Sequence, residues 1–161
     1  MERYVRRQRK LVSRRGESSM PLKLSLKPGE KFVLNGAVLT NGDRKRTSLV
    51  IQNKACVLRE KDIMQPEEAT TPARHIYLPI MMMYLDPEGG EQHYNEFALR
   101  MTEFMGAIQN HSALAACIEI SRDVISGAYY KALMNCRKLF EFEQERLNYD
   151  PESLPEYAVR Y

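Results

Sequence analysis

Cysteine is scarce in this chain: 161 residues contain only Cys56, Cys117 and Cys136. An odd number at wide spacing builds neither a disulfide framework nor a zinc site, so buried, reduced thiols that pack as small hydrophobes are expected. Histidine is equally sparse. His75, His93 and His111 lie too far apart for a local metal motif, and none has a cysteine or carboxylate at a recognised ligand spacing. No apolar run is long enough to span a bilayer, and the basic N-terminus lacks the apolar stretch of a secretory signal. A cytoplasmic chain with no membrane contact is therefore expected. A glycine-rich phosphate loop is missing as well, because Glu88-Gly89-Gly90-Glu91 has neither a preceding strand nor a lysine. Carboxylates are abundant, but Glu141, Glu143 and Glu145 alternate along an expected helix and read as a solvated face. With no nucleophile, base or metal set in view, neither an enzyme nor a cofactor is expected.

What the chain does have is charge in separate blocks. Residues 20–63 carry nine Lys or Arg against four acids, a formal +5, and residues 1–19 carry seven against two, also +5. Residues 64–161 carry eight against fifteen, or −7, so the overall +3 conceals the partition. Asymmetry of this kind points to a polyanion met by the basic part alone. The opening segment, 1–19, has high charge density and no hydrophobic period. It is expected to be a basic disordered extension, or a stretch added by an early start choice, because Met20 opens a natural first strand.

From Leu22 the pattern alternates: Leu22, Leu24 and Leu26 on one side, Lys23, Ser25 and Lys27 on the other, as in a half-buried strand. Pro28-Gly29 turns the chain, Phe32 to Leu34 continues it, and Asn35-Gly36 supplies the two positive-φ residues of a type I′ hairpin. Asn41-Gly42 repeats that signal. Beyond the charged cluster Asp43 to Arg46, Leu49 to Ile51 and Ala55 to Leu58 complete about five strands, the last running out through Arg59 to Ile63. So small a β unit buries too little apolar surface to stand alone, and a dimer, packing on the helical half, or both are expected.

Thr70-Thr71-Pro72 places a hydroxyl cap before a proline at the first helical position. The helix that follows, through Ala73 to Tyr84, should be kinked or divided by Pro79, with a strand as the competing reading. Phe97, Met101, Phe104, Met105 and Ile108 form one apolar face of a second helix, and Ser112 reads as the cap of a third carrying Leu114, Cys117, Ile118 and Ile125. Gly127 bends or interrupts it. A fourth helix turns Tyr130, Leu133, Met134 and Phe140 inward, and residues 148–161, with two prolines, should form a flexible tail. The run Met81-Met82-Met83 reads as core filling, with an adaptable protein-binding surface as the alternative. The expected architecture is α+β: an antiparallel β unit over 20–63, then about four helices over 64–147, in one compact whole.

The segments MPLKLSLKPGEKFVLNGAV, VLREKDIMQPEEATTPARHIY and MMMYLD, in this order, closely resemble the FlbT family of alphaproteobacterial flagellin regulators across about Met20 to Leu147. That resemblance implies post-transcriptional control of flagellin synthesis, exerted on the 5′ untranslated region of flagellin mRNA together with or against a partner, FlaF. In some relatives the sign is activating. A second likeness is to the carbon storage regulator family (CsrA), carried by Leu24, Gly29-Glu30 and Val57 to Ile63. It implies an intertwined β dimer whose first and fifth strands form an RNA surface, with Leu24, Lys27 and Arg59 at the matching positions. The middle hairpin is shorter here, and Leu26 stands where that family has a basic residue.

Single-stranded RNA is gripped by cations along its backbone and read by groups that stack and hydrogen-bond at once, which suits a guanidinium. Arg59 is therefore the leading candidate, with Lys23, Lys27, Arg44, Lys45 and Arg46 as phosphate contacts. Aromatic residues are too few in 20–63 for a stacking platform. The expected function is a homodimeric, non-enzymatic repressor that binds the flagellin mRNA leader and blocks its translation or promotes its decay. The alternative is a flagellar adaptor that binds FlaF or flagellin through its helices, with Met81, Met82 and Met83 in the contact and only indirect effects on RNA.

Overall fold

A computed structural model describes residues 21–86 and 88–147. The expectations for segments 1–19 and 148–161 lie outside the described residues. Five strands come first: β1 (Leu22–Leu26), β2 (Lys31–Leu34), β3 (Ala37–Thr40), β4 (Thr47–Ile51) and β5 (Val57–Arg59). Four helices follow: α1 (Pro72–Leu85), α2 (Gly90–Ala107), α3 (His111–Ile125) and α4 (Tyr129–Leu147). The α+β reading holds.

The strands form two sheets: β1 pairs β4 antiparallel, Leu24 opposite Leu49, and β2 lies between β3 and β5, Val33 opposite Leu58. The chain divides into two compact units, one of residues 21–31 and 39–55, the other of 32–38 and 56–147. The division therefore runs through the β region instead of at residue 63. Its physical reason is burial, since Val33 and Leu58 belong to the hydrophobic core built by the helices.

In the first unit, alternation along β1 buries Leu24 and Leu26 and exposes Lys23, but Leu22, expected on the same side as the two buried leucines, is exposed at the strand's first position. Asn35 at φ 49° and Gly36 at φ 82° form the expected positive-φ turn between β2 and β3. Asn41 and Gly42 do not repeat it. Asn41 keeps a negative φ, and four charged residues follow the pair in place of a strand. Nor does β5 run on to Ile63, because Glu60–Asp62 turns into a 3-10 helix.

In the second unit, Thr71 caps α1 as expected, and its hydroxyl accepts from the Arg74 amide. Pro79 neither divides nor ends α1. Half of its fourteen residues are buried, and that packing outweighs the amide bond the proline removes. Met81 and Met83 are core residues, with Met81 Sδ accepting from the Met64 amide, and Met82 is half-buried. Two of the three methionines are thus withdrawn from any surface. Phe97, Met101 and Phe104 hold α2 on the core, while Ile108 lies just past its end.

Asn110, not Ser112, caps α3, because its side-chain oxygen reaches the Ala113 amide at 2.9 Å. Gly127, at φ 75°, ends the helix: its amide donates to Val124 and the Ala128 amide donates to Asp123. Tyr130 is largely exposed on α4, contrary to the inward placement expected of it, though its ring lies 5.9 Å from that of Tyr84. Cys117 and Cys136 are buried free thiols, whereas Cys56 is only half-buried. Burial pushes the Cys117 thiol up to about 11 and raises that of Cys136 as well, which keeps both protonated and unreactive at neutral pH.

Two carboxylates serve structure, and one of them, Glu143, was expected on a solvated face. Glu143 accepts from the Thr71 hydroxyl at 2.6 Å and the Ala73 amide at 2.8 Å, so it caps α1 from α4. Asp123 is buried on α3 and accepts from Lys131 Nζ at 2.7 Å and Asn135 Nδ2 at 2.8 Å. The Lys131 ammonium holds its carboxyl below the ordinary carboxylate range. A folded state that binds this proton less tightly than the unfolded chain gains stability that is complete above the unfolded value. That stability is lost as pH falls through the lower folded one. Lys131→Met should therefore lower stability at neutral pH and flatten the loss of stability on acidification, as read by urea denaturation from pH 7 down to pH 3.

Candidate nucleic-acid interface

The described part of the first unit holds seven Lys or Arg against two acids, a formal +5, and the described part of the second holds nine against fourteen, or −5. One of the two acids in the basic unit, Glu30, folds back to accept from the Lys27 amide at 2.8 Å and so shapes the turn at Pro28-Gly29. Lys23, Lys27, Arg44, Lys45 and Arg46 are all exposed and all belong to this unit. Lys23 lies on β1 opposite Val50, and Lys27 follows the strand's end. Arg44, Lys45 and Arg46 occupy the loop before β4, where Arg46 donates to Ser25 Oγ at 3.4 Å. The unit has no aromatic residue among those described, so a ligand is held there by charge and hydrogen bonds.

Two expected contacts sit differently. Leu24 is buried on the inner side of β1 at 6% exposure, so any contact with a ligand would have to come from its backbone. Arg59 ends β5 opposite Phe32, half-buried, and belongs to the second unit. The residue that sequence reasoning missed is Asn41. Only 8% exposed, it makes five side-chain hydrogen bonds within the basic unit. The signal that distinguishes it from Asn35 is the run Asp43 to Arg46, which has no strand character and so makes a second hairpin untenable.

Among the described residues no group of three or more His, Cys, Asp or Glu is placed to hold a metal ion. No described helix is long and apolar enough to cross a membrane. The second unit has a groove of about 670 Å³ with a mainly apolar lining that includes Pro72, Phe104, Ile108 and Phe142, joined by the charged Arg100, Glu103 and Arg146.

Residues 22–147, from the start of β1 to the end of α4, match the family model described as flagellar protein FlbT. The chain belongs to the FlbT family. It is 67% identical over 130 residues to the "Flagellum biosynthesis repressor protein FlbT" of Caulobacter vibrioides, covering 81% of this chain and 92% of that one. A probable FlbT of Caulobacter sp. is 65% identical over 81% of this chain and 98% of its own length. A more distant FlbT, from Bradyrhizobium diazoefficiens, is 33% identical over 78% and 84%. The FlbT match includes both compact units, so the basic ribbon and the acidic helical unit are both part of the family's fold. No solved structure matches the chain.

Proposed function

We propose that this chain represses flagellum biosynthesis after transcription, by binding the 5′ untranslated region of flagellin mRNA through its first unit and blocking translation or promoting decay. The repressor role follows the printed names of its relatives. The observation that carries the RNA reading is the set of five exposed cations, Lys23, Lys27, Arg44, Lys45 and Arg46, in a unit of formal charge +5. Single-stranded RNA suits such a surface, since its phosphates are met by side chains along a ribbon without the width of a duplex groove. Arg59, in the second unit, is a separate candidate for RNA contact, argued from its guanidinium alone. The chain works in the cytoplasm, where its mRNA is. A two-stranded ribbon is marginal in water, which supports a homodimer as the working form.

Titrating a flagellin leader RNA with the protein at several salt concentrations tests the reading. Five phosphate contacts should give a slope of log K against log salt near about −3.5, and Arg59→Ala should weaken binding further. Binding that is absent, or indifferent to salt, rules out direct contact with RNA. In that case the second reading gains: an adaptor for FlaF or flagellin, favoured by the apolar groove of the helical unit.

A further inference from the structure

We infer that Asn41 is a positioning residue for the RNA-contacting cations, acting through the loop that carries Arg44, Lys45 and Arg46. The inference rests on the RNA reading above. A primary amide has two hydrogens to donate and two lone pairs to accept with, and Asn41 uses all of them, one hydrogen being shared between two carbonyls. Its Nδ2 donates to the carbonyls of Leu26 at 3.2 Å, Lys27 at 3.0 Å and Lys45 at 3.1 Å. Its Oδ1 accepts from the Asp43 amide at 3.1 Å and the Thr47 hydroxyl at 3.3 Å. Its backbone is held too, with the Asn41 amide donating to Glu30 and the Gly29 amide donating to the Asn41 carbonyl.

One side chain therefore ties three pieces of chain together: the end of β1, the cationic loop, and the first residue of β4. Lys27 and Lys45, far apart in sequence, have their backbones pinned to the same nitrogen atom. Loops of charged residues repel themselves and sample many conformations, and ordering one on binding costs affinity. Asn41 meets that cost within the folded protein. Its burial makes the arrangement specific, because a buried amide left without partners is unfavourable, and a loop that moved away would strip it of the Lys45 and Asp43 contacts. The side chain touches no RNA in this scheme and acts solely by where it holds the lysines and arginines.

A double-mutant cycle tests this. Asn41→Ala is combined with the loop-neutralised triple variant Arg44→Gln, Lys45→Gln, Arg46→Gln, and affinity for the flagellin leader RNA is measured at one salt concentration. In the otherwise unchanged protein, Asn41→Ala should weaken binding about tenfold, the size expected from ordering one or two long side chains. In the triple variant it should add less than about twofold, because no cation is left for it to position. Equal losses in both backgrounds would show a general structural effect and overturn the inference, as would wild-type affinity for Asn41→Ala. Amide exchange in the free protein supplies the folding control: the Asp43 amide should lose protection while the β1–β4 ladder keeps it. If Asn41→Ala melts the ladder, Thr47→Val removes only one of the five contacts and carries the same cycle in milder form. Absence of RNA binding by the unaltered protein is a different result, which fails the RNA reading itself.

Discussion

Changing Lys23, Lys27, Arg44 and Lys45 together to glutamine should weaken binding to a flagellin leader RNA about 600-fold at about 0.1 M salt. The slope of log K against log salt should fall by about 2.8. Each phosphate met by a cation on a single strand releases about 0.7 of a condensed counterion. With 1 M salt as the reference at which that release contributes nothing, a tenfold dilution makes each contact worth about 0.7 of a log unit. Four contacts then amount to about 2.8 log units, close to 4 kcal/mol. All four side chains are exposed, so the substitutions should leave the thermal midpoint nearly unchanged. Filter binding at three or four salt concentrations reads both quantities. A variant that loses affinity with its salt slope intact would show that these residues act through something other than phosphate charge.

Replacing Arg137 by alanine should destabilise the protein by about 3 kcal/mol, measured by urea denaturation followed through helical circular dichroism. Asp62 follows β5 in the 3-10 turn Glu60–Asp62, with its side chain 5% exposed, and it accepts from Arg137 Nη2 of α4. Arg137 also donates to the Lys61 carbonyl at 3.4 Å, and the Tyr77 hydroxyl donates to the Asp62 carbonyl at 2.8 Å. Removing the guanidinium leaves a carboxylate buried without its counter-charge, and the desolvation it then bears makes the loss large. Arg137 is itself about one third exposed, which puts the effect at the low end for such pairs. Asp62→Asn in the same background should restore part of the stability, since a neutral amide is less costly to bury. A loss below about 1 kcal/mol would mean that the pair behaves as an ordinary surface contact.

The elements most legible in the sequence were those whose cause is local. The alternation of Leu24 and Leu26 with Lys23 and Ser25 follows from the two-residue period of a strand, and β1 has it. Asn35-Gly36 and Thr71-Pro72 are turn and cap chemistries within a few residues, and both appear where expected. Charge is additive along the chain, so the basic ribbon could be counted before it could be placed. Asn41 misled because the same dipeptide suits two geometries, and the choice between them lies in carbonyls up to fifteen residues away. Glu143 misled because its partners, Thr71 and Ala73, are some seventy residues distant. Pro79 looked like a break because local propensity opposes it there, and burial on the core overrode the propensity.

The sequence alone determined the α+β class, the cations available to the basic unit and the start of α1, which depend on near neighbours and summed charge, and, through the likeness of whole segments in their order, the membership of the FlbT family. Only the tertiary structure decided that β2 and β5 belong to the helical core, that Leu24 turns inward while Arg59 lies in the other unit, and that one buried amide holds the cationic loop. Those outcomes depend on which distant groups meet when apolar surface leaves water, and no window along the chain contains both partners.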